Sequence, residues 1–96
     1  MTHALFEPIT LRNTTIRNRI WVPPMCQYSV EKQDGVPTSW HLMHYGALAR
    51  GGAGLVSVEA TGVVPEGRIS PQCLGIWNED QAQAFAPITE LIHSQG

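Results

Sequence analysis

Two short apolar runs, IWV at 20–22 and GLVSVEAT at 54–61, flank a segment whose apolar residues recur at helical intervals. No other feature restricts the fold as strongly. Strand, helix and strand at this spacing predict a parallel pair joined by a right-handed crossover. The first helix is expected to run to about Arg50, capped by Thr38 or Ser39 and stopped by Gly51 and Gly52. Leu42, Tyr45, Leu48 and Ala49 form its apolar face. A second helix is expected from about Glu79 to Ser94, with Asn78 and Gln81 at capping-box spacing. Ala82, Phe85, Ile88 and Ile92 face inward, and Pro87, too deep for a first turn, predicts a kink or break. Gly96 supplies the stop.

The first strand ends abruptly. Pro23 and Pro24 have no N–H to give a ladder, so Ile20–Val22 must stop there. Upstream, Arg12-Asn13-Thr14 reads as the turn of a hairpin that pairs Ile9–Leu11 with Thr15–Arg17. Residues 29–37 are a polar loop turning at Asp34-Gly35. Residues 62–77 form a long excursion broken by Pro65, Gly67 and Pro71. Two parallel strands alone would leave both edges bare and both faces poorly covered. The chain reads as part of a larger sheet.

Composition narrows the function classes. A chain of 96 residues, 43% hydrophobic and 15% charged, is that of a globular protein rather than a disordered one. A formal charge of −2, with scattered basic residues, gives no footprint for nucleic acid or an anionic membrane. MTHALFEPIT lacks the basic start and apolar core of a signal peptide, and no apolar stretch approaches a membrane span. A cytoplasmic setting with Cys26 and Cys73 as free thiols is therefore expected.

The blocks LFEPITLRNTTIRNRI, PPMCQYS, HLMHYGALARGGAGLVSVEAT and PEGRISPQCLGIWNED, in this order and separation, resemble the Old Yellow Enzyme family of flavin-dependent ene-reductases. The resemblance covers Leu5 to Gly96. Cys26, where many members carry Thr, is similar to the subgroup of xenobiotic reductases and thermostable enzymes. The family fold implies an α/β chain: an amino-terminal hairpin plus the first two βα units of a (β/α)8 TIM barrel, incomplete on its own. A whole barrel takes about 250 residues. Residues 1–96 would be the amino-terminal segment of a single FMN-binding domain, with Ile20–Val22 beginning strand one and Leu55–Ala60 forming strand two.

The resemblance implies FMN as cofactor, NADH or NADPH as reductant, and an activated alkene as substrate. It places Pro23, Pro24, Met25 and Cys26 along the isoalloxazine ring, the prolines as a rigid slot and Met25 as a polarizable contact. Cys26 would meet the ring's polar edge as a weak donor that tunes its potential. Without the resemblance it reads as a buried free cysteine beside a strand end. Tyr28 matches a substrate-pocket tyrosine whose hydroxyl meets the activating oxygen; otherwise it is a packing residue with a wet hydroxyl. Ala60 matches a small residue against the flavin. No catalytic residue is assigned within the chain, because the family's proton donor and its paired donors for the substrate oxygen lie further on.

Other candidates read as structural. Glu59 has no neighbouring carboxylate and is expected to be paired to an arginine. His41 and His44 share a helix face, but two histidines without a third ligand make a weak zinc signal, so no metal is assigned. GGAG at 51–54 follows a helix and precedes a strand, the reverse of a phosphate loop. Arg68 is structural. Three readings follow. The first is part of an ene-reductase, oligomeric and completed by a complementary carboxyl-terminal barrel chain or segment. The second is a non-catalytic fragment that self-associates through its strand edges. The third is a small interaction or metal module built on the first helix.

Overall fold

A computed structural model describes residues 3–96, and its first regular element after a single 3-10 turn at Ala4–Phe6 is a hairpin. Strands β1 (Ile9–Leu11) and β2 (Thr14–Ile16) pair antiparallel, Ile9 with Ile16 and Leu11 with Thr14. The second strand therefore starts one residue before the expected Thr15–Arg17. The reason is a two-residue turn, Arg12-Asn13, in which Arg12 takes a left-handed φ of 55° and matches the strand twist. Arg17 then leaves the sheet. Its guanidinium donates to Gln95 O at 2.7 Å and to Ala53 O at 3.1 Å, tying the hairpin to the rest of the chain.

The parallel pair is present. Strand β3 (Trp21–Val22) aligns Trp21 with Leu55 and Val22 with Val56 of β4 (Leu55–Val56). Gly54 N donates to Ile20 O and Ser57 N to Val22 O, each at 2.9 Å, and there the ladder ends. The expected second strand over Leu55–Ala60 is thus interrupted. Its neighbour beyond Val22 is Pro23-Pro24, which offers no N–H to continue the pairing. Strand character resumes at β5 (Thr61–Gly62), which pairs parallel with β6 (Leu74–Gly75) across a 3-10 turn at Pro65–Gly67. Arg68 holds this excursion from inside. It donates to Pro65 O, Gln33 O and Pro71 O and lies 5.2 Å from the Trp77 ring centroid.

Helix α1 (Ser39–Arg50) is capped by Thr38, whose hydroxyl accepts from Trp40 N. His41 Nδ1 accepts from Thr38 N at 3.0 Å, so a histidine fills the place of the usual Glu or Gln. Gly51 closes the helix, and Gly52, at φ +110°, turns the chain away as only glycine does without strain. The buried line along α1 is His41, Tyr45 and Ala49, with Leu42 and Leu48 half-buried beside it.

Helix α2 (Glu79–Ser94) begins with the expected box: Gln81 N donates to Asn78 Oδ1 at 2.9 Å, and Gln81 Oε1 accepts from Asn78 N at 3.2 Å. Gln81 is buried and Phe85 and Ile88 follow it inward, but Ala82 is exposed, contrary to expectation. The glutamine takes the inward place in the first turn because its amide also donates to Asp34 O and its carbonyl accepts from Trp77 N. Pro87 does not break the helix. Pro87 and Gln83, whose carbonyl loses its i+4 donor, are both exposed, so water can take the bond. The helices meet at Gly46, where a β-carbon would lie 2.6 Å from Leu91 Cδ2. Val30, Tyr45, Leu74, Phe85 and Ile88 form the core, between the helices and the strand ends.

Candidate functional site

Because β3 and β4 run parallel, the segments leaving them emerge at one end of the sheet: Pro23–Tyr28 from β3 and Ser57–Ala60 from β4. This is the carboxyl end, where open and closed parallel sheets bind their ligands. Pro23, Pro24, Met25 and Ala60 are exposed there and Cys26 is half-buried. The five side chains offer a low, apolar surface with one thiol. A flat, mostly apolar ring fits such a surface, since no bulky side chain projects from Ala60 and the prolines hold the backbone rigid.

The loop carrying these residues is braced locally. Gln27 Nε2 donates to Met25 O at 2.8 Å and Ser29 Oγ to Gln27 O at 2.9 Å. Tyr28 has a left-handed φ of 53°, a conformation rarely adopted by a bulky residue. The bend lifts its ring into solvent, 52% exposed. Tyr28 borders a hollow of about 430 Å³ with Ser29, Glu31, Lys32, Thr38 and Trp40. The neighbouring Cys26 is the main cause holding the phenol above its ordinary ionisation range; even at its ordinary value a phenol is protonated, and so a donor, at neutral pH. A second hollow of about 440 Å³ lies along Leu42, Met43, Gly46 and Leu91, on the helices and away from the strand ends. Neither hollow contains Met25, Cys26 or Ala60; those residues form an open wall rather than a closed pocket.

Glu59 has a different partner from the expected one. It is not paired to an arginine: it is 2% exposed and receives a 2.5 Å hydrogen bond from the Tyr45 hydroxyl on Oε2. Burial, and then this bond, push the Tyr45 phenol well up. The partners are fourteen residues apart on different elements, so no local pattern announces them. Nor did any signal mark Tyr28 as a left-handed residue, a place more usual for Asn, Asp or Gly. The histidines do not act together. His41 spends Nδ1 on the helix cap, while His44 stacks on Trp40 with ring centroids 4.9 Å apart. Among the described residues, no three His, Cys, Asp or Glu side chains converge to hold a metal. Among the same residues, no helix is long and apolar enough to cross a membrane.

Hairpin, βα unit and βα unit, with both strand ends on one side, form the opening part of a (β/α)8 barrel. The sequence model of the NADH:flavin oxidoreductase / NADH oxidase family matches residues 4–96, and the chain belongs to that family. The old yellow enzyme homologue from Zymomonas mobilis (NCR) is 38% identical, with a TM-score of 0.86 over 98% of this chain. Morphinone reductase in complex with tetrahydroNAD is 29% identical, with a TM-score of 0.85 over 99%. The old yellow enzyme from Trypanosoma cruzi is 32% identical, with a TM-score of 0.84 over 97%. The chain spans 26%, 25% and 24% of these three structures, respectively.

Proposed function

We propose that residues 1–96 form the amino-terminal segment of one FMN-binding barrel domain, part of an NAD(P)H oxidoreductase that reduces activated C=C bonds. The observation that carries this reading is the meeting of Pro23–Cys26 and Ala60 at the carboxyl end of one parallel pair, in a chain of this family. What FMN supplies when bound is hydride transfer, from a nicotinamide to the β-carbon of an alkene conjugated with a carbonyl or nitro group. NADH and NADPH both fit; morphinone reductase, a relative, has been captured with tetrahydroNAD.

The chain's own residues bind and orient. Pro23, Pro24 and Met25 pack against the flat ring, and Ala60 leaves it room. Cys26 places a weak donor at the ring's edge. Tyr28, protonated throughout the working range, donates to the oxygen that activates the alkene and draws electron density from the β-carbon. The proton donor and the phosphate anchor belong to the remainder of the barrel, a complementary carboxyl-terminal chain or segment.

Native mass spectrometry of the purified protein tests this. A particle containing this chain, the remainder of the barrel and FMN is expected. A lone chain, or a homo-oligomer without flavin, would sink the enzyme reading. It would favour instead a self-associating fragment, for which exposed Ile20 and Trp21 on the open strand provide the sticky face.

A further inference from the structure

Between the last ladder bond of β4, Ser57 N to Val22 O, and the start of β5 at Thr61, the chain has no strand partner. Glu59 lies in this gap, directly before Ala60. Its N–H, beyond the last ladder bond, donates to the Tyr45 hydroxyl at 2.9 Å. The same hydroxyl donates to Glu59 Oε2. One atom of α1 therefore grips both the backbone and the side chain of a single residue. Glu59 O accepts in turn from Thr61 Oγ1 at 2.8 Å, so both neighbours of Ala60 are fixed.

A third buried polar group lies on the same helix. His41, one helical turn before Tyr45, is fully buried. Its Nδ1 accepts from Thr38 N, which places the ring proton on Nε2. Nε2 and Glu59 Oε1 are both buried without a partner, one a donor and the other an acceptor. Their senses are complementary. An apolar trio would fill the same volume without desolvating a carboxylate, so the polar set needs a reason beyond packing.

The geometry points to a positioning clamp: Tyr45 holds Glu59 and thereby fixes the backbone that presents Ala60 at the flavin face. The flavin part rests on the function proposed above; the clamp itself does not. Its mechanical logic is that the strand has no ladder bond between Ser57 and Thr61, and a helix side chain anchors the backbone there instead.

Amide hydrogen exchange and FMN titration of the assembled protein test it together. Tyr45→Phe, which loses both bonds of the hydroxyl, should speed exchange at Glu59, Ala60 and Thr61 by about tenfold or more relative to Leu74. The FMN dissociation constant should rise several-fold and the flavin absorption band shift. Glu59→Gln, with Tyr45 in place, keeps an acceptor for the hydroxyl and should leave both close to those of the unsubstituted protein. Ile88→Val loosens the same core but leaves the clamp's hydrogen bonds in place, and should lower the unfolding midpoint while leaving the band unmoved. Exchange that is unchanged at 59–61, or that rises equally at Leu74, overturns the clamp. If the unsubstituted protein takes up no FMN, the proposed function fails, and exchange alone decides the clamp. Should Tyr45→Phe not fold, Glu59→Leu removes the side-chain bond but keeps the backbone one. It is then expected to give a smaller rise, still confined to 59–61, and no rise would overturn the clamp.

Discussion

His41 cannot gain a proton without cost. Nδ1 already accepts a backbone N–H, and burial lowers the ring's affinity for a second proton. The Glu59 carboxylate pulls the other way and His44 adds to the lowering, with a net downward shift. The folded protein therefore holds this proton less tightly than the unfolded chain, whose histidine titrates near ~6.5. The contribution to stability is complete above that value and is lost as the pH falls from it through the lower, folded pKa. His41→Gln keeps a capping-box acceptor at the same position. Urea midpoints between about pH 7.5 and 5 should fall less steeply in this variant than in the parent. Equal slopes would show that His41 does not titrate with folding. Tyr28 carries a different prediction. Tyr28→Phe leaves backbone and ring in place, so FMN affinity should hold while kcat/KM for an enone drops about tenfold or more, the worth of one donor to a developing oxyanion. A matching loss of FMN affinity would place Tyr28 against the flavin instead of the substrate.

The elements that were legible in the sequence are those whose determinants are local. Both helices start and stop where Thr38, Asn78, Gly51 and Ser94 suggested, because caps act over three or four residues. The second strand was not legible. Its length depends on whether the neighbouring chain can donate, and the neighbour is a proline pair more than thirty residues earlier. Inward faces were legible only for apolar side chains: Gln81 and His41 sit fully buried because each has polar partners that a hydrophobic pattern does not register. In the site, the wall residues were placed by resemblance, while nothing local in the sequence marks the Tyr45–Glu59 contact. Two changes in α2 test the element itself. Gln81→Ala removes its side-chain half of the capping box, the bond from Trp77 N and the link to Asp34 O, leaving buried groups unpaired, and should cost about 2–3 kcal/mol. Asn78→Ala loses the cap alone, about 1 kcal/mol. If both cost the same by chemical denaturation, the Gln81–Asp34 link adds nothing. Pro87→Ala restores a helix N–H and should stabilise by about 1–3 kcal/mol.

At the scale of the whole molecule, shape and surface agree. The radius of gyration is 14.8 Å and the longest dimension 49 Å, whereas a closed domain of this length has a radius near ~12.5 Å. The accessible surface is 6358 Å², against roughly 5500 Å² for a self-contained protein of this mass. The excess has a composition: Ile20, Trp21 and Met25 on or beside β3 and Val63, Ile69 and Ile76 around the excursion are all exposed. A barrel strand is hydrogen-bonded on both edges, yet β3 is paired only with β4 among the described residues. The bare edge and the apolar surface face the same missing neighbours, which in a barrel are supplied by later strands. Trp21 reports on that closure. Its indole N–H is already satisfied by Asn18 O at 3.0 Å, so docking a strand beside it buries the ring without stranding a donor. In the isolated chain, acrylamide should quench Trp21 readily. Adding the complementary part of a relative's barrel should shield it, and the difference should vanish in Trp21→Phe, which leaves Trp40 and Trp77 as the remaining indoles. Quenching that ignores the added segment would mean β3 is not the docking edge, and the apolar excess would then have to be buried between copies of the chain.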